Sequence, residues 1–187
     1  MLSPPQTPQN PSSTPVARRK AAVLVPIYDG PDGPILLLIR RTRTINHPGQ
    51  VAFPGGRPEP ADLSLLATAL REAYEELGIE PAAVRIVAEL PVVETLTSNY
   101  AISAFVGRLP ARPPLRPQVS EVAAILDVPL SALLADHLPV QEEWEFEQER
   151  RTRTIRYFPW GEDKIWGATA RMIEHLLAAV RAGQLVL

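Results

Sequence analysis

The chain has 187 residues, 45% of them hydrophobic, which is typical of one globular domain. Its 19 lysines and arginines nearly balance 21 aspartates and glutamates, so the formal net charge of -2 argues against a nucleic-acid partner held by a basic surface. The absence of cysteine excludes disulfides, thiolate metal sites and a cysteine nucleophile.

The N-terminal segment, residues 1–19, is rich in proline, serine, glutamine and threonine. Because it cannot bury enough apolar surface to offset its conformational entropy, we predict a disordered arm, followed by one domain over residues 20–187. The first 20 residues hold no apolar core of a secretory signal, and no apolar run reaches the roughly 20 residues that span a bilayer. We therefore expect a cytoplasmic protein without a membrane partner.

Short apolar runs between turn residues predict strands, and runs with helical spacing predict helices. The predicted strands are a hairpin at 21–27 and 35–40, a brief strand at 50–56 that ends in a Pro-Gly-Gly turn, strands at 84–93 and 101–107, and a hairpin at 143–158. The remaining predicted segments are a helix at 64–77, a proline-rich loop at 111–117, a short helix at 128–137 and a last helix at 164–183.

The helix from Ser64 to Leu77 contains no glycine or proline, and Gly78 is placed to end it. At 100° per residue, one side is apolar: Leu66, Ala69, Leu70, Ala73 and Leu77. A neighbouring stripe carries three carboxylates: Glu72, Glu75 and Glu76. Arg71 precedes Glu75 by four residues and can pair with it.

Two interpretations of this acidic stripe are open on residue types alone. It is either a solvated helix face with an ordinary ion pair or a site for a divalent cation. Like charges at i and i+4 cost about 0.2–0.5 kcal/mol, and the C-terminal end of a helix favours cations over glutamates. A bound cation removes both costs, and oxygen ligands in a chain without cysteine suit Mg²⁺ or Mn²⁺.

Residues 71–79, "REAYEELGI", together with Gly56 upstream, resemble the Nudix hydrolase motif Gly-x5-Glu-x7-Arg-Glu-U-x-Glu-Glu-x-Gly-U, where U is bulky and apolar. The second half of the motif is present in full, with Ala73 as a small occupant of one U position. The first half departs from it, because Asp62 stands where glutamate is usual and fourteen residues separate Gly56 from Arg71. Glu59 is an alternative for the first acidic group.

Two separated stretches are similar to one branch of that family, the coenzyme A diphosphatases. They are "LLLIRRTRTINHPGQVAFPGGRPEPADLSLLATALREAYEELG" at 36–78 and "YFPWGEDKIWGATARMI" at 157–173. The branch usually has threonine and serine where Leu38 and Arg41 stand, and its arginine before His-Pro-Gly falls at Ile45. These departures leave two alternatives open, a Nudix hydrolase for another substrate such as ADP-ribose and a non-catalytic Nudix-like nucleotide-binding regulator.

The resemblance implies an α/β (α+β) sandwich with a mixed β-sheet between helices. It implies Mg²⁺- or Mn²⁺-dependent hydrolysis of the diphosphate bond of coenzyme A, giving 4′-phosphopantetheine and adenosine 3′,5′-bisphosphate. The partner is a small-molecule nucleotide, and a homodimer stays open.

The same resemblance implies roles for individual residues. The catalytic residues would be Arg71, Glu72, Glu75 and Glu76. The metal ligands would be Gly56, through its backbone carbonyl, with Glu72, Glu75 and Glu76. The substrate contacts would be Arg40, Arg41, Arg43, His47 and Gly55. The general base is open among Glu75, Glu94 and Glu121. Trp160 and Trp166 fit packing of the last helix better than stacking on adenine, and His137 and His175 have no supporting pattern.

Overall fold

The computed structural model describes residues 17–42, 49–95, 98–146 and 151–187. Its strands are β1 (Arg19–Gly30), β2 (Gly33–Arg41), β3 (Val51–Ala52), β4 (Gly55–Gly56), β5 (Arg85–Glu94), β6 (Tyr100–Leu109), β7 (Val122–Pro129), β8 (Val140–Phe146), β9 (Arg151–Trp160) and β10 (Asp163–Trp166). Its α-helices are α1 (Leu65–Leu77), α2 (Leu130–Leu133) and α3 (Gly167–Arg181), and a 3₁₀ turn spans Pro81–Ala83.

Seven strands form one mixed sheet. Its main order is β3-β2-β1-β6-β5, with β7 paired to β2 and β4 paired to β1. Strand β1 runs parallel to β6, whereas the other pairs in this sheet are antiparallel. The mixed sheet that we predicted is therefore confirmed. A second sheet, antiparallel in the order β10-β9-β8, contains the predicted hairpin of the C-terminal part.

Alternation along β2 divides the core into two layers, because successive side chains of a strand point to opposite faces. Leu37 and Ile39 belong to the apolar cluster that contains Ala69, Ala73 and Leu77 of α1. Leu36 and Leu38 belong to the other cluster, which contains residues of β9, β10 and α3: Phe158, Ile165, Met172, Ile173 and Leu176. The large sheet thus lies between α1 on one face and α3 with the small sheet on the other.

The helix that carries the acidic stripe forms where its sequence predicts. The Ser64 hydroxyl accepts a hydrogen bond from the Ala67 backbone N–H at 3.1 Å, which satisfies one of the free donors of the first turn. Gly78 ends the helix with φ of 72°, a left-handed conformation that glycine adopts without a Cβ clash.

Three sequence-based assignments are wrong in detail, and each error involves a non-local contact. The predicted helix at 128–137 is only the four residues of α2: its first two residues pair with β2 as the end of strand β7, and the helix ends at Leu133. The predicted last helix begins three residues late, because residues 164–166 pair with β9 as part of β10. The predicted strand at 50–56 is two short strands with different partners, β2 for β3 and β1 for β4.

The N-terminal arm stays a prediction, because residues 1–16 lie outside the described residues. Strand β1 begins at Arg19, the last residue assigned to that arm. Among the described residues, none of the helices has both the length and the apolar character needed to cross a membrane.

Candidate functional site

The most buried acidic side chain of α1 is Glu76, which is 2% exposed. The backbone N–H of Gly55 donates a hydrogen bond to its Oε2 at 3.0 Å, and Nη1 of Arg41 lies 3.7 Å from its Oε1. Burial raises the pKa of Glu76 to about 7, although the Gly55 hydrogen bond and the charge of Arg41 act in the opposite direction. The fold therefore holds a carboxyl that ionises at neutral pH against the loop of Gly55 and Gly56, here called the glycine loop.

Glu72 lies one helical turn before Glu76 and contacts the same loop. Its carboxylate packs so closely on Gly56 that a Cβ at position 56 would overlap the carboxylate atoms. A Cβ at Gly55 would likewise overlap the backbone of Ala22 and Val23 in β1. Burial raises the pKa of Glu72, while the neighbouring Arg71 partly counters this effect. The two glycines are thus required by the close approach of α1 and β1 to one loop.

Arg71 connects the acidic helix to the loop before it. Its Nε and Nη2 donate to Oδ1 and Oδ2 of Asp62 at 3.1 and 3.0 Å, and its Nη1 donates to Oε2 of Glu75 at 2.9 Å. Nη2 also donates to the backbone carbonyl of Arg57 at 3.1 Å and lies 3.1 Å from Oε1 of Glu72. One guanidinium therefore fixes the chain after the glycines and orients two of the glutamates.

Of the two residues considered for the first acidic group, Asp62 is the one bound inside the site. Its Oδ2 also accepts hydrogen bonds from the Glu59 backbone N–H and the Thr68 hydroxyl, both at 2.9 Å. The hydrogen bond from Arg71 holds the pKa of Asp62 well below its usual range. The Glu59 side chain is 62% exposed and only reaches 4.0 Å from Arg71.

The three candidates for the general base differ in their surroundings. The backbone carbonyl of Glu121 accepts a hydrogen bond from the N–H of Thr42 at 2.9 Å, next in the chain to Arg41, whose guanidinium lies 3.7 Å from Glu76. Burial is the main cause of the raised pKa of Glu72 and Glu76, and the negative charge of Glu121 adds to it. Glu75 is half exposed and bound to Arg71. Glu94 pairs with Arg18 at 3.0 Å and contributes to neither of these pKa shifts. Glu121 is therefore the candidate outside α1 that the fold brings towards Glu76.

The predicted substrate-binding arginines of β2 contact opposite faces of the large sheet. Arg41 reaches Glu76 on the α1 side, whereas Arg40 binds Asp163 of β10 through two hydrogen bonds of 2.9 and 2.6 Å. The predicted contacts Arg43 and His47 lie outside the described residues. Arg57 was overlooked at the sequence level, although it is an exposed cation directly after the second glycine.

The donor set at this loop fits a magnesium-type ion. Within the described residues, no three acidic or histidine side chains converge closely enough to hold an ion by themselves. The fold does bring together the carboxylates of Glu72 and Glu76 and the backbone of Gly56. Mg²⁺ is commonly held by one or two carboxylates and keeps several waters. The buried Glu76 and the partly buried Glu72, whose pKa values are both raised, would be relieved of mutual repulsion by such a cation.

The other residues considered as site candidates have packing or surface environments. Trp160 packs against the apolar cluster of α3, and Trp166 lies edge-on to Trp144 with ring centroids 5.3 Å apart. His137 is exposed, and Nδ1 of His175 is buried without a hydrogen-bond partner in the described structure.

Comparisons with known proteins agree on one family. The model of the NUDIX domain matches residues 18–147. A relative named "Uncharacterized Nudix hydrolase NudL" from Yersinia pestis (strain Pestoides F) is 38% identical over 163 residues, which cover 87% of this chain and 80% of that protein. A MutT/nudix family protein from Enterococcus faecalis has a similar fold, with a TM-score of 0.58 at 14% identity, covering 95% of this chain and 66% of that one. The NUDIX domain of Shewanella oneidensis NrtR, solved with ADP-ribose, gives a TM-score of 0.50 at 20% identity, covering 67% and 81%.

Proposed function

Because this chain belongs to the Nudix family and is a hydrolase of diphosphate bonds, we propose that its substrate is coenzyme A. The proposed reaction uses Mg²⁺ or Mn²⁺ and yields 4′-phosphopantetheine and adenosine 3′,5′-bisphosphate. We further propose a cytoplasmic enzyme with one catalytic domain over residues 20–187, a disordered arm before it, and no nucleic-acid or membrane partner.

The observation that carries the proposal is the contact between the two stretches similar to the coenzyme A diphosphatases. Arg40 in the first stretch binds Asp163 in the second. The buried Thr169 hydroxyl donates to the backbone carbonyl of Val51 at 3.1 Å, which joins the start of α3 to the strand that leads into the glycine loop. Two distant segments that share a branch pattern thus form one unit behind the proposed metal centre.

In this proposal, Glu72, Glu75, Glu76 and the carbonyl of Gly56 hold the metal ions. When bound, such ions shield the diphosphate oxygens and lower the pKa of an attacking water. Arg71 keeps Glu75 and Asp62 in place, which fixes the position of the loop before α1 relative to the helix. The Glu121 carboxylate accepts the proton of the attacking water as the water oxygen bonds to phosphorus, and the bridging oxygen leaves with the other phosphate.

The cations around the glycines bind the substrate in this proposal. Arg41 lies next to Glu76 and faces α1, where a phosphate chain would meet the metal centre. Gly55 offers its backbone where a side chain would obstruct the approach. Arg40, Arg43 and His47 stay predicted contacts, and Arg57 joins them because of its position after Gly56.

A substrate panel tests the proposal. Purified protein is incubated with Mg²⁺ or Mn²⁺ and with coenzyme A, ADP-ribose or a dinucleoside polyphosphate, and the kcat/KM values are compared. We expect coenzyme A to have the highest value. Efficient turnover of ADP-ribose without turnover of coenzyme A would show another Nudix substrate, and a rise in Tm with bound nucleotide but no cleavage would favour a regulator.

A further inference from the structure

The chain just before β7 folds into a tight turn over residues 118–121, here called the 118–121 turn, which is fixed to the end of α1. The carbonyl of Gln118 accepts hydrogen bonds from the N–H groups of Glu121 at 2.9 Å and Val122 at 2.8 Å. The N–H of Gln118 in turn donates to the carbonyl of Glu76 at 2.9 Å. That carbonyl is one of those that the last turn of a helix leaves free. One side of the turn is therefore bound to the main chain of a proposed metal ligand.

The other side of the 118–121 turn is bound by Thr42, the residue that follows β2. The Thr42 N–H donates to the carbonyl of Glu121 at 2.9 Å, and its hydroxyl donates to the carbonyl of Ser120 at 2.8 Å. These two carbonyls lie on either side of the Cα of Glu121. Thr42 also directly follows Arg41, whose Nη1 lies 3.7 Å from Oε1 of Glu76. One threonine thus holds the main chain of Glu121 to the strand end that contacts the metal centre.

A β-bulge in β7 places Thr42 opposite Glu121. The pairing of β7 with β2 shifts by one residue after Arg40, because the register passes over Ala123. A regular antiparallel ladder would place Thr42 opposite Val122, whereas the shifted register places it opposite Glu121. Such bulges are frequent beside active sites, where they redirect a side chain. The local departure from the ladder therefore determines which residue Thr42 binds.

The Thr42 hydroxyl contributes more to position than to stability. Ser120 is exposed and Thr42 is half-buried, so water can bind the Ser120 carbonyl when the hydroxyl is removed. Glu121 itself lies outside the ladder, since β7 begins at Val122. Misplacement of a reacting group by about 1 Å can cost about 100-fold in rate. Loss of the hydroxyl should therefore affect the chemical step more than the fold.

We propose that Thr42 is a positioning residue that acts through Glu121, by holding both carbonyls beside its Cα so that the carboxylate faces the attacking water. The inference rests on the proposed function, because it takes Glu121 as the acceptor of the proton of that water. It assigns a role in the reaction to a residue outside the acidic helix, the glycine loop and the arginines of β2.

A double-mutant cycle on kcat tests this proposal, with the panel substrate that has the highest kcat/KM. Thr42→Val keeps the shape of the side chain without its hydroxyl, so kcat should fall about tenfold with KM changed by less than about twofold. Thr42→Ser restores a hydroxyl and should recover kcat to within about twofold. Thr154→Val, at an exposed threonine of β9, is the matched control and should change neither constant.

The second arm of the cycle separates positioning from a general structural role. Glu121→Gln should lower kcat about 100-fold, because it removes the proton acceptor. Adding Thr42→Val to Glu121→Gln should then lower kcat by less than about twofold more, since the hydroxyl has no carboxylate left to position. Tm of Thr42→Val should fall by only about 2–4 °C, the effect of one exposed hydrogen bond.

Outcomes for Thr42 and for the proposed function are separable. The inference is overturned by an unchanged kcat in Thr42→Val, by a loss that Thr42→Ser does not recover, or by the same tenfold loss in the Glu121→Gln background. Normal activity of Glu121→Gln would overturn it as well. In each of these cases the unchanged protein still cleaves its diphosphate substrate, so the hydrolase reaction stands. Absence of cleavage of every panel substrate by the unchanged protein would instead reject the proposed function, and this role of Thr42 with it.

Discussion

At the scale of single residues, Glu76 links the packing of α1 to the proposed chemistry. The helix must bury one side to pack on β1 and β2, and the last carboxylate of its acidic stripe is carried into the interior with it. The Gly55 N–H and Arg41 provide partial compensation, which leaves a carboxyl with a pKa of about 7. A divalent cation would offset the rest of the free-energy cost of burying the Glu76 carboxylate. Without metal, that cost should appear as a loss of folding stability.

We predict that the metal-free protein loses stability as the pH rises from 5 to 8. The pKa of Glu76 is about 7 in the folded chain against an ordinary value of 4.5, so the folded state binds this proton more tightly. Its stabilising contribution is fully present below the unfolded pKa and is lost as pH rises through 7, an effect of about 3 kcal/mol. Tm in a chelator, measured across this range, reports it.

The matched control for this pH dependence is Glu76→Gln, whose amide stays neutral at every pH. We expect the two proteins to have similar Tm values at pH 5. The variant should melt about 6–12 °C higher at pH 8, using about 2–4 °C per kcal/mol for a chain of this size. A difference in Tm that does not depend on pH would contradict the raised pKa of Glu76.

The same substitution should remove most of the activity. Glu76→Gln keeps the shape of the side chain and the Gly55 contact but loses the charge that holds a cation, so we expect kcat for coenzyme A to fall by about 100- to 1,000-fold. Steady-state kinetics in saturating Mg²⁺ measure this. Activity equal to that of the unchanged protein would contradict Glu76 as a metal ligand, and an unchanged circular dichroism spectrum excludes unfolding as the cause.

At the scale of elements, the sequence predicts what is local and misses what depends on a distant partner. Helix α1 was predictable to within a residue because Ser64, the run without glycine or proline, and Gly78 all act within it. Strand β7 was missed because its residues are stabilised by pairing with β2, more than 80 residues earlier. In the site, the glutamates and glycines follow from the motif, whereas the choice of Asp62 over Glu59 depends on how the intervening loop folds.

A pair of substitutions tests that choice. Asp62→Asn removes the charge that fixes Arg71 and, through it, Glu75 and the Arg57 carbonyl, so we expect kcat to fall by about 10- to 100-fold through misplacement of the site. Glu59→Gln alters an exposed side chain three residues away and should change kcat by less than about twofold. The reverse order of effects in steady-state assays would assign the first acidic position to Glu59.

At the scale of the whole molecule, an ion pair joins the two sheets behind the proposed site, and a buried hydrogen bond joins α3 to the large sheet. Arg40 of β2 binds Asp163 of β10, and the Thr169 hydroxyl binds the Val51 carbonyl. The sequence predicts Arg40 as a phosphate contact because position 40 matches the branch pattern. Its partner Asp163 was not predictable, because it lies 123 residues away at the start of β10, a strand whose other residues, 164–166, were assigned to the last helix.

A double-mutant cycle on Arg40→Ala and Asp163→Ala measures this connection. The side chains are 41% and 14% exposed, so we expect a coupling free energy of unfolding of about 1 kcal/mol. The same cycle on Asp29 and Arg108, a pair with side chains 47% and 30% exposed within the large sheet, is the matched control and should give a smaller value. Denaturant unfolding of the single and double variants provides the four free energies in each cycle.

Kinetics on the same variants separate the two roles of Arg40. If its guanidinium contacts a substrate phosphate, Arg40→Ala should raise KM for coenzyme A several-fold with little change in kcat, since a ground-state contact is lost. Asp163→Ala should then leave KM nearly unchanged, because it removes only the partner across the sheets. An equal rise in KM in both variants would mean that Arg40 acts by fixing β10 against β2, and the contact with the substrate would have to come from the other cations around the glycine loop.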